Sequence, residues 1–224
     1  SIGCITSMDA DHLDVYQTID AFNAAFIQFS EQITHNLIFA YGLPLRGLTF
    51  GIEVPADYEA SNINPSNMGY SFDLKTPKGN FEGISFSQLG KHNISNAVCA
   101  IAMADQVGIP MKSALKTLES FPGVYRRMNV FKWGKVLVID DYAHHPTEIR
   151  VVLETLKESF SNRKNCVIFQ PHLFSRTKDF MQDFLAVLEE FDEVVLLDIY
   201  PAREEPIPGI SSSRILEDLN HPNK

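Results

Sequence analysis

The sequence predicts an α/β protein in two parts, a first half with an added strand-rich section and a second half built on a parallel sheet. Three observations predict it. Beyond residue 123, apolar runs alternate with amphipathic segments in the order strand, helix, strand, helix, strand. Continuous apolar strands between such helices indicate a parallel sheet covered on both faces. Residues 37–86 have another texture, short apolar or alternating runs split by Gly, Pro and Asn. Phe121-Pro122-Gly123 is the best candidate linker, so residues 1–123 and 124–224 are expected as separate domains.

Taken in order, residues 1–7 read as a short buried strand that ends in the polar run Met8-Asp9-Ala10-Asp11-His12-Leu13-Asp14. A helix follows with Thr18 as its N-cap, because Ile19, Phe22, Phe26, Phe29 and Ile33 recur at helical spacing. Runs 37–40, 48–52, 70–74 and 81–86 read as hairpin-like strands at a sheet edge, broken at pairs such as Leu43-Pro44 and Asn64-Pro65. Gly90 opens a helix whose stripe is Ile94, Ala97, Val98, Ile101 and Ala102, and Gly108-Ile109-Pro110 stops it. A second helix over 111–120 packs Met111, Leu115 and Leu118. In the second half, strands at 136–139, 167–169 and 194–197 are expected to form one three-strand parallel unit. Ile149, Val152, Leu153 and Leu156 mark one intervening helix; Phe180, Phe184, Val187 and Leu188 mark the next, and 213–219 a short last one.

Composition sets limits on function. The 224 residues are 45% hydrophobic and 21% charged, which excludes disorder and collagen-like repeats, and the length allows roughly one and a half domains. With 19 Lys plus Arg against 28 Asp plus Glu, the net charge of −9 is a poor match to a nucleic-acid backbone. No apolar stretch approaches the roughly 18 residues of a membrane span. Cys4, Cys99 and Cys166 form no CxxC and no disulfide framework, which favours a reducing, cytoplasmic setting. The first residue is Ser1 and no signal peptide follows, so the chain is expected to be a piece of a longer protein.

Ligands of open parallel sheets bind beyond the carboxyl ends of the strands, and three polar clusters sit at such ends. They are 140–148 (Asp-Asp-Tyr-Ala-His-His-Pro-Thr-Glu), 170–177 (Gln-Pro-His-Leu-Phe-Ser-Arg-Thr) and 198–205 (Asp-Ile-Tyr-Pro-Ala-Arg-Glu-Glu). One such cluster is ordinary capping; three in succession, each with a titratable or cationic group, point to a site. Asp141 or Thr147 could simply cap the helix that Pro146 begins. His144 and His145 are neighbours in an extended segment and point opposite ways, so at most one faces a ligand. Arg176 is expected just ahead of a helix N-terminus, where its charge opposes the macrodipole, a poor structural position and a good one for meeting an anion. The Glu204-Glu205-Pro206 run reads as a solvated loop.

In the first half, Asp9-Ala10-Asp11-His12 has the composition of a cation site, although Asp11 or Asp14 could instead start a helix. Asn93 and Asn96 lie one turn apart at a helix N-terminus, where amides can read a purine edge and free N–H groups favour anions; N-capping explains one of them. Arg126-Arg127 follows the linker, well placed to meet a phosphate, with a surface ion pair as the alternative. No GxxxxGK[ST] occurs, since Gly90-Lys91 precedes His92 and Gly134-Lys135 precedes Val136, and there is no GxGxxG.

Together and in this order, these motifs resemble the Mur ligases, the ATP-dependent amide-forming enzymes of peptidoglycan synthesis. The carrying residues are Asp9 to Asp14, Gly90-Lys91-His92-Asn93-Ile94-Ser95-Asn96-Ala97, Gly123-Val124-Tyr125-Arg126-Arg127, the 140–148 and 170–177 clusters, and Tyr200-Pro201-Ala202. The likeness is greatest to members that join L-alanine to UDP-N-acetylmuramate, and it spans nearly the whole chain. It implies the rear part of a P-loop-type ATPase domain with its strand-rich section, without the P-loop, followed by part of a Rossmann-like C-terminal domain. The UDP-binding domain, the P-loop and the family's final strands would lie outside the chain.

Residue by residue, the resemblance implies that His12 helps hold Mg2+, with Asp9 standing where the family more often has Glu. His92, Asn93 and Asn96 would hold the adenine and ribose of ATP, Arg127 would reach the γ-phosphate, and Asp141 the ribose or phosphates. His144 fits the family's D-Y-A-H-x-P pattern, and His172 and Arg176 would meet the muramoyl carboxylate and the incoming amino acid. The reaction implied runs through an acyl phosphate that the alanine amine displaces. A ligase that recycles murein tripeptide shares the G-x-H-N-x-x-N-A segment at 90–97 and the H-H-P-T segment at 144–147 but lacks the 170–177 pattern. A metal-dependent hydrolase built from Asp11, His12, Asp141 and His144, and an inactive remnant, are the rivals of other classes. Without a P-loop, the 224 residues alone are expected to make no amide bond. ATP- and alanine-dependent phosphate release from them would overturn that.

Overall fold

Strands covered on both faces are apolar throughout, whereas half-covered strands alternate, and the first sheet contains both kinds. A computed structural model describes residues 1–9, 13–66 and 68–224, apart from the side chains of Leu13 and Asp14. His12, expected at a metal, and Asp11 therefore lie outside the described residues. The chain divides into two compact units, Ser1–Gly123 and Val124–Lys224.

The first unit runs β1 (Gly3–Ile5), α1 (Leu13–Tyr16), α2 (Ile19–Glu31), β2 (Leu37–Ala40), β3 (Leu48–Ile52), β4 (Tyr58–Ser66), β5 (Gly69–Thr76), β6 (Gly79–Phe86), α3 (Lys91–Gln106) and α4 (Met111–Glu119). The strands form one six-stranded sheet in sequence order. β2 and β3 are not the hairpin-like edge strands expected: β1 to β4 pair parallel, and only β4, β5 and β6 form an antiparallel meander. The reason is legible in β2 itself. Leu37 and Phe39 cluster with Ile5, Phe26 and Ile33 on one face, while Ile38 joins the α3 core on the other. β4 was not expected, because its polar sequence and Pro65 argue against a strand. Pro65 fits because β3 pairs β4 only as far as Ala60, so the end of β4 is an edge bonded to β5 alone, beyond a register shift between Ser61 and Asn64 where Asn62 takes a φ of 51°.

Thr18 caps α2 by accepting the Ala21 N–H at 3.1 Å. The helix buries only Phe22; Ile19 and Phe29 of its stripe are exposed. The α3 stripe is buried as its spacing demands, against Phe50, Tyr58, Tyr70, Phe72 and Leu74. One charge enters this core. Asp105 accepts the Tyr58 hydroxyl at 2.7 Å and the Lys78 ammonium at 2.6 Å, and Gln106 donates to the Tyr58 oxygen at 2.8 Å. Burial, and then Asp105, push the Tyr58 phenol up to about 12. Asp105→Ala strands that hydroxyl and is expected to cost about 2 kcal/mol in urea unfolding; a loss below a few tenths would mean the network is idle.

The second unit runs β7 (Asn129–Trp133), β8 (Val136–Asp140), α5 (Pro146–Ser159), β9 (Cys166–Phe169), α6 (Phe174–Asp179), α7 (Met181–Leu188), β10 (Glu193–Leu196) and α8 (Ser212–Asp218). The three-strand parallel unit expected here is not formed among the described residues. β9 and β10 pair parallel, but β8 pairs antiparallel with β7, a strand the sequence reading missed. Gly134, at a φ of 59°, supplies the tight turn that lets Trp133 face Val136. The core joins Ile149 and Leu153 of α5 to Phe184, Val187 and Leu188 of α7, with Phe169, Val194 and Ile215.

Candidate functional site

The candidate residues fall on both units, and each group is built by its own local structure. In the second unit, the segment after β8 turns into α5. The cap of α5 is neither Asp141 nor Thr147 but His145, whose Nδ1 accepts the Thr147 N–H at 3.3 Å. Glu148 completes the capping box by accepting the N–H groups of His144 and His145 at 2.9 and 3.2 Å. Asp141 spends both oxygens on backbone, one on Met128 N–H and one on Ala143 N–H, each at 2.8 Å. The two histidines diverge. His145 packs edge-on against Phe180, while the His144 ring lies between Tyr142 (5.0 Å) and His172 (5.9 Å).

His172 lies beyond β9, where it makes a lone parallel bridge to Tyr200. The two rings stack at 5.4 Å, so Tyr142, His144, His172 and Tyr200 form a continuous row of rings across the strand ends. Leu173, at a φ of 72°, turns the chain into α6, anchored by Leu173 N–H to Tyr200 O at 2.9 Å. Arg176 is not ahead of the helix but inside this short one, and it is buried at 7% exposure. Its Nη1 comes within 3.5 Å of the His172 Nδ1. Burial, then the Arg176 charge, then His144, hold the His172 imidazole below its ordinary value, against an opposing pull from Glu204. These surroundings disfavour the protonated form of His172.

Arg126 and Arg127 differ sharply. The Arg126 guanidinium lies 4.9 Å over the Tyr142 ring, with its Nε 3.7 Å from Asp140. The Arg127 side chain is exposed and has no hydrogen-bond or ionic partner among the described residues. Sequence reasoning gave no role to Tyr142 or Tyr200, although Tyr200-Pro201-Ala202 stood out as a motif, and it paired Arg126 with Arg127 as a phosphate candidate, whereas Arg126 is taken up by Tyr142 and Asp140. It set Glu204 aside as solvated loop, yet this carboxylate accepts both the backbone N–H and the hydroxyl of Ser175.

In the first unit, Gly90 takes a φ of 87° that favours glycine, and it starts α3 without a side-chain cap. Asn93 turns its amide back to the Leu89 carbonyl at 2.7 Å. His92 is half-buried, and Asn96, one turn from Asn93, is exposed. Among the described residues no three His, Cys, Asp or Glu side chains converge as a metal site. A cavity of about 390 Å³ between β8, β9 and α5 is lined by Leu137, Ile139, Val152, Leu156 and Val167; of the candidate residues only Asp141 borders it. No helix among the described residues is long and apolar enough to cross a membrane.

Comparison with known proteins agrees with both units. Residues 1–104 match the model of the Mur ligase middle domain, and residues 126–224 that of the Mur ligase glutamate ligase domain. The UDP-N-acetylmuramate–L-alanine ligase of Flavobacterium psychrophilum is 48% identical over all of this chain, which covers 51% of that protein. The enzyme of the same name from Flavobacterium johnsoniae is 45% identical over all of this chain and 50% of its own length. The crystal structure of the UDP-N-acetylmuramate–alanine ligase of Thermotoga maritima superposes with a TM-score of 0.73 at 32% identity, covering 89% of this chain and 46% of that one. The chain thus spans about half the length of the curated relatives it matches. It belongs to the Mur ligase family, with sequence of both its middle and its glutamate ligase domain.

Proposed function

We propose that the full-length protein carrying this chain is an ATP-dependent ligase that joins L-alanine to UDP-N-acetylmuramate in the cytoplasm. The observation that carries this reading is the approach of a buried guanidinium, Arg176, to the His172 imidazole at the strand ends. The guanidinium suits a carboxylate, and the imidazole can take the proton that an ammonium must lose before its amine attacks. The names of the relatives supply the substrates. Arg127, uncommitted, is assigned to the γ-phosphate, and His92, Asn93 and Asn96 to the nucleoside. The exposed Asn96 amide and the remaining Asn93 oxygen fit the donor and acceptor edge of a purine.

ATP supplies the phosphoryl group that activates the carboxylate; the chain's own residues orient and neutralise charge. Among the described residues no cluster of His, Cys, Asp or Glu fits Mg2+, and His12, the residue the resemblance assigns to it, lies outside them. Recycling of murein tripeptide is the second reading, disfavoured by the Gln170–Thr177 segment that builds the His172–Arg176 pair. Phosphate release by the full-length protein, given ATP and UDP-N-acetylmuramate, should depend on L-alanine and not respond to tripeptide. Tripeptide-dependent turnover would transfer the assignment to the recycling enzyme; no turnover with either amine would overturn both.

A further inference from the structure

Glu204 lies in a loop whose sequence reads as solvated, yet the structure turns its carboxylate inward. The loop is fastened to the segment after β9 by Tyr200 N–H to Pro171 O at 2.8 Å and by Leu173 N–H to Tyr200 O at 2.9 Å. Glu204 N–H bonds to Pro201 O at 2.9 Å, closing the turn that carries the carboxylate back. One oxygen accepts the Ser175 N–H at 3.0 Å, the other the Ser175 hydroxyl. Burial works against the Glu204 charge, but the Ser175 and Phe174 donors and the Arg176 charge outweigh it and hold the acid below its usual range. A carboxylate kept ionised beside a buried guanidinium and a half-buried imidazole is a fixed counter-charge.

We propose that Glu204 is a positioning residue for the ligase site: it fixes the start of α6 and balances the Arg176 charge, and so sets both where Arg176 stands and how readily His172 takes a proton. This deepens the ligase reading and rests on it for the chemistry. Among the described residues, the charged and titratable groups facing His172 are Arg176 on α6, His144 ahead of α5, and Glu204 and Tyr200 from the loop after β10. Of these Glu204 alone is anionic, so its loss leaves the imidazole facing only unfavourable charge. At the same time the Arg176 guanidinium loses a nearby negative charge that balances its own.

The test uses the full-length protein with 15N-labelled histidine, comparing wild type, Glu204→Gln, Glu204→Asp and Ser175→Ala. In Glu204→Gln the His172 midpoint, read from imidazole resonances without substrates, should fall by about half a pH unit or more. Its kcat should fall about tenfold with KM for ATP unchanged, since a misplaced group costs turnover rather than nucleotide affinity. Glu204→Asp should restore the His172 midpoint towards wild type. Ser175→Ala, which removes a donor but keeps the charge, should leave that midpoint within about 0.2 units and loosen only α6. An unchanged His172 midpoint in a folded Glu204→Gln protein overturns the proposal, as does an equal shift in Ser175→Ala. The titration needs no turnover, so an inactive wild type would count against the ligase reading and leave this result standing.

Discussion

Arg127→Ala in the full-length protein is expected to lower kcat about a thousandfold, in the range of a cation that neutralises a transferring phosphoryl group, with no change in thermal unfolding. The backbone around this residue is the reason. Arg126 and Met128 both take left-handed conformations, with φ of 57° and 51°, a cost of order 1 kcal/mol each that persists only where surroundings enforce it. They are enforced here. Arg126 N–H bonds to the Asn129 side chain, Arg127 N–H to Val124 O at 3.0 Å, Met128 N–H to Asp141, and Tyr142 N–H to Arg126 O at 2.9 Å. All this holds one exposed guanidinium with no hydrogen-bond or ionic partner among the described residues. Arg126→Ala, which removes a guanidinium already occupied by Tyr142 and Asp140, should cost less than tenfold. Steady-state phosphate release with parallel thermal melts decides it: near-wild-type turnover in Arg127→Ala, or equal losses at both arginines, would sink the assignment.

The same loop gives Asp141 a role that its motif did not disclose. As a motif residue it was assigned to ribose or phosphate; as placed, it fastens Met128 and Ala143 by their amides. Asp141→Asn keeps an acceptor for one of these donors and loses the other. Turnover is expected to fall about a hundredfold, as for a group displaced by about 1 Å, with the ATP KM moving less than threefold. A large KM rise with kcat intact would instead favour direct contact with the nucleotide.

What the sequence discloses follows from the range of the forces involved. α3 and α5 are legible because periodicity, a Gly start and a Pro at the first turn are local signals. β2 and β3 were misread as edge strands because parallel and antiparallel pairing leave the same trace in a four-residue apolar run; what differs is the helix packed on each face. β4 and β7 were missed because one is polar and carries Pro65 near its end and the other, Asn-Val-Phe-Lys-Trp, is largely exposed. The motifs located the strand-end residues, since they are contiguous in sequence. The row from Tyr142 to Tyr200 could not be seen, because it depends on which strand ends adjoin. Glu204 was discounted for a related reason: a carboxylate in a Pro-rich loop reads as solvated unless its distant donors, Ser175 and Arg176, are known.

Arg176 is where stability and chemistry can be pulled apart. Arg176→Ala should lose at least a thousandfold in turnover and also about 2 kcal/mol of stability, because truncating a buried side chain leaves a cavity and takes an opposite charge away from the Glu204 carboxylate. The Arg176→Met, Glu204→Gln double variant removes both charges, so most of the stability should return while activity stays lost. His172 adds a pH signature. Its folded value lies below its unfolded one, so below about pH 6.5 the unfolded chain binds more protons and stability falls with the pH until the folded value is reached. With Arg176 gone, the guanidinium no longer opposes the imidazolium, the folded value rises, and this acid-side loss should shrink. Urea unfolding of the single and double variants at pH 7 and pH 5 reads both effects. If the double variant is no more stable than Arg176→Ala, neither restored side-chain volume nor removal of the Glu204 charge accounts for the loss, and the guanidinium's own hydrogen bonds carry it. Were activity to return with stability, Arg176 would be a structural residue of α6, and the anion that meets this strand end would have to be held by another group.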